Sequence, residues 1–84
     1  MATTTKTLSA TAWVLVSALG SGTLENQTNQ IVIYRADADL PDPGVKVGHH
    51  LGHGQREAWS FDPPQNLYAR LNLPGSGVLV VTEG

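Results

Sequence analysis

Hydrophobic and polar residues alternate along this chain in short runs, and no segment keeps a helical repeat for three turns. The runs predict strands over residues 6–9, 13–17, 23–26, 31–35, 45–51, 55–61, 66–71 and 78–82. Punctuation falls between them at Gly20-Ser21-Gly22, Gln27-Thr28-Asn29, Gly52-His53-Gly54, Asp62-Pro63-Pro64-Gln65 and Pro74-Gly75-Ser76-Gly77. Pro41 and Pro43, set among Asp37, Asp39 and Asp42, turn 37–44 into a loop, because proline cannot donate to a central ladder. Alternation also assigns faces. Leu67, Ala69 and Leu71 point one way, whereas Tyr68 and Arg70 point the other. Ile31 and Ile33 oppose Val32 and Tyr34, so this strand is apolar on both sides and is expected at the centre of a sheet or against a partner. The expectation is an all-β fold: a small antiparallel β-sandwich or jelly-roll-like barrel of six to eight short strands. Residues 1–5 read as a flexible arm and 6–84 as one domain.

Composition sharpens this. A chain of 84 residues buries only about 60–65% of its unfolded surface, and with no cysteine it has no disulfide to compensate. Charged residues make up 14%, below the roughly 25% of an average domain, which suits a protein that covers itself with neighbours. The net charge of −2, with Lys6, Arg35, Lys46, Arg56 and Arg70 scattered, argues against nucleic acid and anionic lipid. The apolar run at 12–19 is too short to span a bilayer and reads as a strand rather than a leader.

Chemistry concentrates at one place. His49, His50 and His53, with Glu57 nearby, present imidazole and carboxylate groups that suit zinc or copper, and they define a cupin-like metal alternative. Strand geometry opposes it by sending His49 and His50 to opposite faces, so no metal or other cofactor is expected. Ser76 lacks the glycine spacing of a nucleophile elbow, and no enzyme is expected. Asp37, Asp39 and Asp42 lack the distal glutamate of a calcium loop. Asn26-Gln27-Thr28 matches a glycosylation sequon. Trp59, Tyr68 and the Asp-rich loop define a second alternative, a carbohydrate- or receptor-binding module. The candidates for subunit contact are Tyr34, Tyr68, His53 and Arg70, the first two as aromatic anchors.

Three segments in order, Thr11-Ala12-Trp13-Val14-Leu15-Val16, Ile33-Tyr34-Arg35-Ala36 with its Asp/Pro loop, and Leu67-Tyr68-Ala69-Arg70 ahead of Val80-Val81-Thr82-Glu83, resemble small β-sandwich virion proteins of tailed bacteriophages. These are of the decoration, neck or tail-accessory type. The resemblance implies a structural protein located in the virion. It would bind capsid, neck or tail subunits and itself as a homo-oligomer. It carries over no functional residues, because such proteins work through surfaces.

Overall fold

The computed structural model describes residues 2–84, which form eight strands and no helix. In chain order they are β1 (Thr3–Ser9), β2 (Val14–Ser17), β3 (Ser21–Asn26), β4 (Val32–Asp37), β5 (His49–Leu51), β6 (Arg56–Ser60), β7 (Asn66–Leu71) and β8 (Ser76–Glu83). Two antiparallel four-stranded sheets face each other. The first, sheet A, runs β1-β8-β3-β6, and the second, sheet B, runs β2-β7-β4-β5. Only the β4–β5 connection stays within a sheet; each of the others crosses to the opposite one. This order is that of a jelly roll, the double-sheet form in which two Greek keys interleave.

Alternation builds the core as expected. Leu8, Leu24, Leu79 and Val81 of sheet A meet Val16, Val32, Leu51, Leu67, Ala69 and Leu71 of sheet B, with Trp59 closing one end. All are buried, and at about 25 cal/mol per Å² of apolar surface these side chains are the main stabilising term. The Trp59 ring packs against Gly22 of the neighbouring strand. A Cβ there would stand 2.5 Å from the ring, so only glycine admits the indole.

Asn26 is a buried polar junction in this core. Its Nδ2 donates to the carbonyls of Gln30 and Leu51 at 2.7 and 2.8 Å, and its Oδ1 accepts from the Thr28 amide and hydroxyl at 2.8 and 2.7 Å. Its side chain thus makes four hydrogen bonds and ties the end of β3 to the following turn and to β5. The sequon at Asn26 is therefore closed in the folded chain, since both amide protons are engaged and the residue is wholly buried.

Several expected boundaries move. β1 begins at Thr3 and pairs with β8 from Thr3↔Thr82 onward, so residues 3–5 belong to a strand rather than a flexible arm; Met1 lies outside the described residues. Threonine's β-branched side chain favours that pleated edge. Ser21 and Gly22 belong to β3, and Ser76 and Gly77 open β8, because cross-strand pairing extends into what local composition marks as turn. The largest difference is at 45–51. Only His49–Leu51 forms a strand, and 45–48 join a longer loop, 38–48.

Candidate interaction surfaces

That loop folds back over the outer face of sheet B. There Trp13, Ile33 and Tyr68 form a second small cluster, capped by Val45. Trp13 Nε1 donates to the Val45 carbonyl at 2.9 Å, and Arg35 Nη1 donates to the Val47 carbonyl at 2.9 Å. Arg35 also grips Asp37 with two nitrogens, at 2.5 and 3.2 Å, which engages both oxygens of that carboxylate. Asn66 Nδ2 holds the loop's first residue by the Ala38 carbonyl at 3.0 Å.

Arg70 is the centre of this arrangement. It is 3% exposed, yet among the described residues no carboxylate pairs with it. It donates instead to the carbonyls of Pro43 at 2.6 Å, Val45 at 3.1 Å and Ala10, and its guanidinium lies 5.5 Å from the Trp13 ring centre. A planar fork of donors is what three separately placed carbonyls require, and the ring face offsets part of the cost of burying the cation. Tyr68 beside it is 5% exposed. Tyr68 and Arg70 are therefore covered by the chain's own loop and are not offered to a partner. Alternation correctly put them outside the core, but it does not see a roof built from residues far away in sequence.

The histidines separate as strand geometry requires. His49 pairs with Tyr34 on the inner side of the sheet edge, while His50 pairs with Ile33 on the outer side. His49 and Tyr34 rings lie 5.4 Å apart and tilted by 35°. Tyr34 packs partly against the main core, and burial pushes its hydroxyl above the ordinary value of 10.0, with the Glu57 carboxylate adding to the shift. His53 sits on the turn between β5 and β6, its Nδ1 hydrogen-bonded to the Thr28 carbonyl. That turn needs Gly54, whose φ of 78° is a left-handed conformation. Among the described residues no three of His, Asp and Glu converge as metal ligands, and no pocket opens. Of the four contact candidates, His53 stands at the surface and Tyr34 is half-buried. Trp59, 5% exposed, and Tyr68 present no ring for a sugar to stack on.

The outer face of sheet A is the surface the sequence reading did not single out. Register places Thr3, Thr5 and Thr7 of β1 beside Thr82, Val80 and Val78 of β8, with Thr23 and Glu25 of β3 next in line. Arg56, Ala58 and Ser60 of β6 complete it. Its two charges, Glu25 and Arg56, approach each other to 3.6 Å, so the face is neutral. A local signal for it exists in Thr3-Thr4-Thr5-Lys6-Thr7, where threonine recurs at every second residue. No family model, curated protein or solved structure matches this chain.

Proposed function

We propose that this protein is a structural virion protein of a tailed bacteriophage. In this reading it acts as a decoration or accessory subunit that binds and stabilises capsid, neck or tail subunits and associates with itself. The observation that carries the reading is the neutral Thr/Val face of sheet A, laid over a filled jelly roll in which no pocket opens among the described residues. A broad sheet face with one internally matched ion pair presents little to desolvate, which is the property of interface cores, from which charge is depleted. The jelly roll is a frequent architecture of viral coat proteins, a fold-level analogy that agrees with the resemblance of the sequence. Its interior holds Leu, Val and Trp59 where a ligand-binding barrel keeps a cavity.

Two measurements test this. Portal, capsid or tail genes are expected beside the gene for this chain, and a neighbourhood of metabolic genes would count against the reading. Purified protein should co-sediment with capsids or tails of the phage that encodes it, and Thr23→Lys on the neutral face should abolish that binding. Binding undiminished by Thr23→Lys would remove the face from the proposal, and absence of binding to any virion part would overturn it.

A further inference from the structure

The free edge of β1 carries a second and more specific surface. Glu83 N–H donates to the Ala2 carbonyl at 3.4 Å, which makes Ala2 and Glu83 a hydrogen-bonded pair of the β1–β8 ladder. In an antiparallel ladder such pairs alternate with pairs whose backbone groups point away from each other. Thr4–Val81, Lys6–Leu79 and Leu8–Gly77 are then the bonded pairs, and Thr3, Thr5 and Thr7 are not. The 2.8 Å contact between the Thr3 and Thr82 hydroxyls agrees, since side chains approach most closely at non-bonded pairs. Thr3, Thr5 and Thr7 therefore turn both N–H and C=O outward from the sheet. No strand lies beyond β1, and these groups have no second backbone partner among the described residues. An unsatisfied row of this kind is a template for another strand.

We infer that β1 pairs with β1 of a second copy across a two-fold axis at Thr5, joining two A sheets into one continuous eight-stranded sheet. The sequence of the edge selects both partner and register. In an antiparallel pair the outward groups of Thr3, Thr5 and Thr7 must meet outward groups of the partner, so the register shifts only in steps of two residues. Centred on Thr5, Thr3 meets the partner's Thr7, Thr5 meets the partner's Thr5 and Thr7 meets the partner's Thr3. The outer row reads the same in both directions, which is the self-complementarity that a two-fold contact demands. Lys6 then stands opposite the partner's Thr4. One step further along, centred on Lys6, the two ammonium groups would face each other directly, which is unfavourable. Lys6 thus counts against that register without closing the edge, and centring on Thr5 is the register in which all three outward threonines meet threonines.

Pairing of single strands covers less area than the roughly 1,200 Å² at which stable complexes begin, so the dimer is weak alone and gains from repetition on a lattice. The inference deepens the self-association part of the proposed function and rests on that reading for its biological setting.

Analytical ultracentrifugation over a concentration series tests it. The unmodified chain should show a concentration-dependent monomer–dimer equilibrium. Thr5→Lys, which sets two ammonium groups opposite each other at the axis, should raise the dimer dissociation constant about tenfold. Thr7→Lys, which faces the partner's Thr3, should change it less than about twofold. Thr5→Lys mixed with Thr5→Glu should form a heterodimer, a result that misfolding of either variant would not give. A chain that stays monomeric at every concentration overturns the inference, as does Thr7→Lys disrupting as strongly as Thr5→Lys. A monomer that still binds virions overturns the edge dimer alone, whereas a dimer that binds no virion part overturns the proposed function alone.

Discussion

On sheet B, the outer face carries Ile33, Tyr68 and Arg70, and residues 38–48 are folded over it. On sheet A, equivalent positions carry Thr5, Thr23 and Val80, of which the two threonines are exposed and the valine is half-buried. The two sheets share one core and the same strand number, so the difference lies in what each outer side chain needs. Large apolar rings and a carbonyl-seeking guanidinium are costly to leave in water, and the chain supplies them with a cover of its own. Threonine is satisfied by water, yet its β-branched side chain with its methyl group remains suited to a flat contact. The face that is finished within the chain is therefore the less available one, and the face left open is the one the proposed assembly would use.

The largest effect should come from removing the cover's anchor. Arg70→Met keeps length and apolar stem but takes the side-chain donor from the carbonyls of Ala10 and Pro43 and leaves Val45 with Trp13 alone. A loss of about 3 kcal/mol is expected in urea denaturation, with faster amide exchange across 43–47. A loss near zero would mean that the loop holds itself in place. Val45→Ala thins the cover without releasing it and should cost about 1 kcal/mol. On the bare face, Thr23→Lys should change stability by no more than about 0.5 kcal/mol. A cost matching that of Val45→Ala would show that the two outer faces are not so different after all.

The smallest effect concerns pH. Because the Tyr34 pKa is raised by burial and by Glu57, the unfolded chain releases this proton first as pH climbs. The folded state then holds more protons than the unfolded one, so stability falls with rising pH. The contribution is fully present below pH 10 and is lost as pH rises through the higher folded value. Tyr34→Phe should flatten the alkaline part of a melting-temperature profile, and an unchanged slope would remove Tyr34 as its cause.

The inner face of β7 is legible from alternation, because Leu67, Ala69 and Leu71 need no information beyond their own spacing. On β4, apolar on both sides, Val32 and Tyr34 face the core and Ile33 faces out, so Tyr34 is not the outward anchor its alternation with Ile31 and Ile33 suggests. The roof over sheet B was not legible. Arg70 meets carbonyls 25, 27 and 60 residues away, and no local pattern encodes such contacts. One clue was available. The connection from Asp37 to His49 is much longer than the roughly 4–6 residues usual in compact domains, and a long ordered loop generally covers something. The same limit applies at Asn26, where a three-residue motif suggested a sugar acceptor and the buried environment makes it a junction. At the metal candidates, local geometry was enough, since adjacent strand residues diverge. The threonine edge was present in the sequence but hidden by its polarity, which suggested a tail instead of a strand.

The interleaved strand order also has a bearing on how the chain is made. β8 lies between β1 and β3 in sheet A, yet it is synthesised after the other seven strands described. Until it emerges, the earliest strand has no ladder to join, and its threonine row stays soluble while Leu8 waits for its place in the core. Pairing between distant parts of a chain is slow, in the millisecond-to-second range for such β topologies, so folding should begin only once synthesis has passed β8. A nascent chain stalled before Ser76 is expected to be protease-sensitive throughout, and the same chain extended past Glu83 to become resistant in a single step.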